Sequence, residues 1–510
     1  MSQSVDRFLS YVERAGNRLP HPTLLFIWLC GFVLLASAMA SALGVSTSHP
    51  TTGELLSANN LLSAEGVARI LQNTVSNFTS FAPVGTVLIA MLGLGVAERS
   101  GLISNLLSGL VQHAKGHGLT FMVVFAGVMS SLAADAGYVV LIPLAAIIFQ
   151  QAGRHPLAGI AAAFAGVSGG YSANLLLGPF DAVLSGISTA AAQLIDPSMS
   201  VSVAANYWFM LVSVFVVSTL ATWVTARWVE PRLSSIQVDS ASEKEATDAA
   251  HGSSISLSGS SSGSSSGGSS GGLKAVGIFT VLFIVVVASV LVSESSWLRQ
   301  GKDVISSPFM KGIVVVISIY ALLSGYIYGR VSGRWRSGRD LIDAMEASMA
   351  TMAGYLVLMF FAAQFVAYFA WSNLGIILAV QGADLLTEIN APAPILLVVF
   401  IFVAALINLF VGSGSAKWAL LAPVFVPMLM LVGIPPEATQ VAFRIGDSST
   451  NIITPLMPYF GVVLAFAQHY KKELGMGTVI SMMLPYSMAF MLGWTLLLIG
   501  WLLLGWPLGW

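Results

Sequence analysis

Runs of about 20 apolar residues recur from one end of this 510-residue chain to the other, each long enough to cross a bilayer core of roughly 30 Å as a helix. A backbone in hydrocarbon must satisfy its own hydrogen bonds, which leaves helices or a closed barrel. The runs are continuous rather than alternating, and that excludes the barrel. Composition agrees: 56% of residues are hydrophobic and 9% are charged, against roughly 25% charged in a soluble domain. The chain therefore reads as an all-α polytopic membrane protein whose surroundings are a lipid bilayer. Its net charge of −1 argues against a nucleic-acid partner. The single cysteine, Cys30, precludes an intrachain disulfide or a cysteine metal centre. The first run, 22–44, is too long for a signal-peptide core and lacks a cleavage site, so it is read as a retained span.

Nine crossings are expected, near 22–44, 80–98, 156–188, 206–228, 274–293, 308–329, 349–371, 436–469 and 479–505. Two of them, 156–188 and 436–469, are too long for one straight helix and have polar, glycine-rich centres. Two further apolar stretches, 118–151 and 394–432, are broken in the middle and read as re-entrant hairpins. Arg7, Arg14 and Arg18 precede the first span, Arg330, Arg334, Arg336 and Arg339 follow the sixth, and Lys471 and Lys472 follow the eighth. Basic residues in short loops mark the cytoplasmic side, so the N-terminus is placed inside. The stretch "HGSSISLSGSSSGSSSGGSSGG" is low-complexity Gly/Ser and reads as a flexible cytoplasmic linker. It divides the chain into 1–228, with spans one to four, a linker over 229–273, and 274–510, with spans five to nine.

The two broken regions align without a gap at a shift of 280 positions, the separation of Pro143 and Pro423. Gly153 then falls on Gly433, Pro156 on Pro436, Gly166 on Gly446, Ser168 on Ser448 and Tyr138 on Trp418. Prolines and glycines punctuate backbone, so their coincidence carries more than shared alanines would. Five crossings lie between the hairpins, an odd number, so the hairpins must enter from opposite faces. The first enters from the cytoplasm and the second from outside, which is an inverted-topology repeat. Paired interrupted segments in two halves point to a transporter's binding site near the midplane.

Four polar patches converge in this arrangement: 130–138, 166–181, 407–418 and 443–460. Glycine there lets backbone approach a ligand, while Ser, Thr and Asn (Asn174 among them) supply oxygen ligands or hydrogen bonds. Asp181 or Asp447 can ligate Na+ or carry a proton, and ionisable groups inside spans are expensive to bury. Structural readings stand beside these. Asp447 follows Arg444 by three residues, so the two can neutralise each other on one helix face. Lys417 either snorkels, serves as counter-ion to a nearby aspartate, or meets a substrate carboxylate. Trp418 is either an aromatic ligand contact or ordinary packing. Asp135 and Asp181 can be simply solvated near the interface, and the glycines can serve close helix packing alone.

A transporter leads among the functional classes. The chain has no G-x-x-x-x-G-K-[ST], so coupling would come from an ion gradient. An intramembrane aspartyl protease needs two aspartates sharing a proton, whereas the repeat pairs Asp447 with Val167 and Asp135 with Ser415. No H-E-x-x-H occurs either. A channel fits two offset hairpins less well than an occluded site does. No cofactor is called for.

At "SGSAKWALLAPVFVPM" and "FRIGDSSTNIITPLMPYF" the sequence resembles the AbgT family of bacterial inner-membrane transporters. "YVERAGNRLPHPTLLFIW", "GRHPLAGIAA", "LSGISTAAA", "VEPRL" and "SPFMKGIV" extend the resemblance over most of the chain apart from the linker. It implies a homodimer of protomers with nine spans and two hairpins in inner and outer core regions. It further implies uptake of a small aromatic carboxylate, p-aminobenzoyl-glutamate, or in some members proton-driven export of sulfonamide antimetabolites and p-aminobenzoate. Carried onto matching positions, it points to Asp181, to Asn408, Ser415 and Trp418, and to Pro436, Asp447 and Pro455. On this reading Trp418 stacks on the aminobenzoyl ring, while Ser415 and Asn408 hydrogen-bond its polar groups, and Asn174 and Asp181 are further substrate contacts. A coupling cation would use Asp447, Ser448, Asn451 and the carbonyls from Gly412 to Ser415; Na+ and H+ both remain open.

Overall fold

The structure is a computed structural model that describes residues 22–48, 55–111, 116–133, 137–233, 266–293, 295–300, 307–454, 457 and 459–510. Residues 234–265 of the linker expected over 229–273, the first hairpin's tip at 134–136 with Asp135, and Pro455 lie outside those residues.

The apolar runs become helices. In the first half α1 (Pro22–Ala42) leads to a short antiparallel pair, β1 (Ser46–Ser48) and β2 (Leu55–Ser57). Next come α2 (Ala64–Thr79), α3 (Ala82–Arg99) and α4 (Leu102–Val111). The first hairpin is α5 (Gly116–Met129) with α6 (Ile142–Gln151), and the first interrupted crossing is α7 (Pro156–Phe164) with α8 (Pro179–Ala192). α9 (Tyr207–Val224) closes this half, and α10 (Ser266–Val292) stands between the halves. The second half runs α11 (Ile313–Val331), α12 (Gly338–Thr351), α13 (Ala353–Trp371) and α14 (Leu374–Ile389). The second hairpin is α15 (Ala393–Asn408) with α16 (Gly414–Leu431), followed by the interrupted pair α17 (Pro436–Asn451) and α18 (Phe460–Tyr470), then α19 (Met476–Leu503). Prolines set many of these starts. α3, α6, α7, α8, α15 and α17 each carry one in the first turn, where its missing N–H had no helical partner to lose.

Eight helices of the described chain are long and apolar enough to cross a membrane, one of them being the hairpin arm α16. Setting that arm aside and counting each interrupted pair as one crossing gives the nine expected. Their outer faces are apolar: Trp28, Phe32, Leu35 and Met39 on α1 are exposed, as are Ile278, Val281, Leu282 and Val285 on α10.

The repeat is longer than its sequence signal. α11 to α14 retrace α1 to α4, amphipathic helix before span included, and α19 retraces α9. Packing exchanges partners accordingly: α1 and α2 pack on α13, while α11 and α12 pack on α3. α10 has no counterpart in the first half. Two glycine pairs show why the aligned positions are what they are. Gly153 and Gly433 end the second hairpin arms with φ of +71° and +83°, a backbone region open to glycine at no steric cost. Gly166 and Gly446 let α5 and α15 lie against the first half of each interrupted crossing; a Cβ there would sit 2.4 Å from the Val124 and Ile401 carbonyl oxygens respectively.

The structure departs from expectation in two places. α10 begins at Ser266, inside the segment assigned to the linker, with Gly272 close against the Tyr328 ring. The amphipathic helices α2, α4, α12 and α14 were not anticipated, because each mixes polar and apolar residues around its axis and raises no continuous apolar run.

Candidate functional site

The hairpin tips and the interruptions meet crosswise. α16, from the second hairpin, packs on α8 of the first interrupted crossing, and α6, from the first hairpin, packs on α18 of the last. Near the second tip four charges are buried together. Asp181 and Arg444, and Lys417 and Asp447, form two ion pairs whose side chains are 1–3% exposed.

Asp181 is the third residue of α8. Its Oδ2 accepts from the Gly178 N–H at 2.8 Å and from Asn174 Nδ2 at 2.7 Å, capping the helix start. Its Oδ1 accepts from Arg444 Nη2 at 2.6 Å, while Arg444 Nη1 donates to the Ser172 carbonyl at 3.3 Å. The guanidinium carbon lies 5.8 Å from the Phe180 ring centre, within reach of a cation–π attraction. Arg444 thus reaches across the fold to Asp181 and does not neutralise Asp447, one turn further along its own helix. Three residues apart on a helix are neighbours, yet the two side chains turn to different partners: Arg444 to the first interruption, Asp447 to the second hairpin.

Lys417 lies in the first turn of α16, after the break over 409–413 between the hairpin arms. Its ammonium contacts Asp447 Oδ1 and donates to Asn408 Oδ1. Asn408, the last residue of α15, shares its two amide hydrogens among the Asp447 carbonyl at 2.6 Å, Thr450 Oγ1 at 2.8 Å and Asn451 Oδ1 at 2.9 Å. Asn451 in turn points Nδ2 at Asp447 Oδ2, 3.4 Å away. Lys417 is therefore a buried counter-ion to an aspartate, one of its three open readings.

Trp418 is fully buried; its Nε1 donates to Ser188 Oγ at 3.0 Å and the Leu184 carbonyl at 3.2 Å. Its ring centre stands 4.7 Å from that of Phe443. The indole pins α16 to α8. Gly412, Ser413, Gly414 and Ser415 are half-buried, and Ser413 Oγ caps α16 by accepting from the Ala416 N–H at 3.4 Å. A Cβ on Gly414 would meet the Phe180 ring at 3.0 Å and Asp447 Oδ2 at 3.5 Å, so the tip lies directly on the charge cluster. The Ser448 hydroxyl is buried without a hydrogen-bond partner among the described residues.

Asn174, Asp181, Asn408, Gly412, Ser415, Trp418, Asp447, Ser448 and Asn451 thus lie on the three elements that converge here. Pro436 does not join them: it opens α17, 11 residues before Asp447, or about 16 Å along the axis. Arg444 as the partner of Asp181, Thr450 as a partner of Asn408, and Phe180 against the hairpin tip were not anticipated. The polar run 166–181 flagged their neighbourhood, but the Arg444–Asp181 pair spans 263 residues and leaves no local signal.

Residues 7–510 match the family profile described as "AbgT putative transporter family". The p-aminobenzoyl-glutamate transport protein of Escherichia coli (strain K12) is 38% identical over 510 residues, covering 100% of this chain and 97% of that protein. Two relatives of solved structure superpose on nearly the whole chain. One is the YdaH transporter of Alcanivorax borkumensis, described as having an unusual topology: 51% identical, TM-score 0.88, covering 96% of this chain and 100% of its own. The other is MtrF of Neisseria gonorrhoeae, described within a class of antimetabolite efflux pumps: 46% identical, TM-score 0.89, covering 97% of each chain.

Proposed function

This chain belongs to the AbgT putative transporter family, and from that premise we propose that it moves p-aminobenzoyl-glutamate or a related aminobenzoate across the bacterial inner membrane, driven by an ion gradient. The observation that carries this reading is the buried pair of ion pairs where the second hairpin tip meets both interrupted crossings. Charges inside a membrane protein are costly and persist where function uses them. Irregular backbone at that depth belongs beside a substrate path.

Within this reading the half-buried tip from Gly412 to Ser415 offers backbone and hydroxyl groups to the substrate. Asn408 and Asp447 hold that tip to α17, Asn174 orients Asp181, and Trp418 forms the wall between tip and α8. Pro436 fixes the start of α17. Asp181 and Asp447 are each bound to a separate cation, which is not the shared-proton dyad of an aspartyl protease. The protomer is placed with its N-terminus in the cytoplasm and pairs with a second copy as a homodimer. Alternating access follows from moving hairpins and interrupted crossings against the remaining spans.

The likeness to MtrF favours a second reading, export of sulfonamide antimetabolites or p-aminobenzoate. Proteoliposomes loaded or bathed with p-aminobenzoyl-glutamate, under separately imposed Na+ and H+ gradients, distinguish the two by direction of saturable flux. Absence of flux of either ligand class under every gradient rejects both. Asp447→Asn is expected to lower flux at least tenfold in protein that still elutes as a monodisperse species. Unchanged flux would remove Asp447 from coupling.

A further inference from the structure

We propose that the Lys417 ammonium is a tethered cation seated at Asp447, where it takes the place a free Na+ would need, so that this protein binds no Na+ at Asp447, Ser448 and Asn451. The inference refines the ion-coupled transport reading and rests on it only for its importance to flux.

The donor set around Asp447 carries the argument. A small hard cation is held by converging oxygens. Here Asp447 Oδ1 and Asn408 Oδ1 both converge on the Lys417 nitrogen. The other carboxylate oxygen, Oδ2, faces the amide nitrogen of Asn451, while Asn451 Oδ1 accepts from Asn408 Nδ2 at 2.9 Å. These amide orientations are mutually locked. Turning Asn408 to offer oxygen to Asn451 would bring its nitrogen against the ammonium, placing two donors face to face. The side-chain oxygens of Asp447, Asn408 and Asn451 therefore already face nitrogen donors. The Ser448 hydroxyl has no partner among the described residues, but it stands about 100° around the helix from Asp447.

Charge balance leads to the same result. Among the described residues, the other charged groups near this cluster are Asp181 on α8 and Arg444 on α17, and they pair with each other. α13 and α15, which also pack on α16, carry no charged side chain. On α14, Asp384 and Glu388 lie near the far end of α16, where Gly382 meets Met428. One aspartate thus faces one lysine, and adding Na+ would leave a positive charge buried without a partner. The first repeat lacks the whole device: Lys417, Asp447 and Asn408 fall on Gly137, Val167 and Val128.

The test compares thermal unfolding of the purified protein in NaCl with that in KCl at equal ionic strength. The native protein is expected to unfold at the same temperature in both salts. Lys417→Asn empties the position and exposes Asp447 to solute cations, so this variant should gain a saturable, Na+-specific rise. The expected size is about 2–3 °C at Na+ a hundredfold above its Kd, absent from the Lys417→Asn/Asp447→Asn double variant. Na+-specific stabilisation of the native protein that Asp447→Asn removes overturns the proposal, as does a folded Lys417→Asn variant with no such gain. Should that variant aggregate, Lys417→Gln takes its place. Should both aggregate, binding of radiolabelled Na+ to native protein decides: none supports the proposal, and binding lost in Asp447→Asn overturns it. No arm uses an organic substrate, so failed p-aminobenzoyl-glutamate flux would sink the transport reading and leave this one standing.

Discussion

The two hairpin tips occupy equivalent places in the repeat and are held by opposite chemistry. At the first, Tyr138 stacks on Tyr459 with ring centres 4.3 Å apart and an interplanar angle of 11°, and Phe164 packs edge-on to Phe460. At the second, Lys417, Asp447 and Asn408 form a locked polar cluster beside the Arg444–Asp181 pair. The backbone supplies the same breaks twice, whereas among the described residues a buried ion pair appears only at the second tip. An aromatic stack carries no net charge and is inexpensive to separate, roughly 0.5–1.5 kcal/mol beyond area burial. A buried ion pair has a steep all-or-none character, because removing one partner strands the other.

The contrast is open to attack in order of expected effect. Arg444→Met leaves Asp181 buried without its cation and should destabilise the protein by about 3–5 kcal/mol, read by thermal unfolding. Arg444→Met with Asp181→Leu should recover most of that loss, and a double variant no better than the single would deny that the pair is a unit. Gly166→Ala and Gly446→Ala press a methyl group onto equivalent carbonyls and should each cost about 1–3 kcal/mol. Similar losses at both sites would affirm that the scaffold is symmetric, whereas a tolerated change at one of them would break the equivalence. Smallest is the aromatic tip. Tyr138→Leu combined with Tyr459→Leu should show a coupling of about 1 kcal/mol in a double-mutant cycle. A coupling as large as that of the ion pair would erase the distinction between the tips.

What could be read from the sequence followed the physics of each signal. Spans and hairpins were legible because hydrocarbon demands uninterrupted apolar runs, and Gly153 and Gly433 because positive φ restricts which residues fit. The helices Ala64–Thr79 and Gly338–Thr351 were not, since Arg69 and Glu65, or Arg339, Asp343 and Glu346, dilute any hydropathy window. At the site, the polar breaks announced themselves, but the choice of partner did not. Arg444 had an aspartate three residues away and took one 263 residues distant, a choice settled by which helix faces pack together.

The unpaired helix α10 has a large consequence for its size. Four crossings precede it and four follow, and an even-numbered block copied in tandem would repeat in the same orientation, with both hairpins opening to one compartment. Inserting a single greasy rod, in contact with little but α11, turns the second copy over. A duplication that would otherwise have made a one-sided molecule thereby becomes one whose two halves address opposite sides of the membrane.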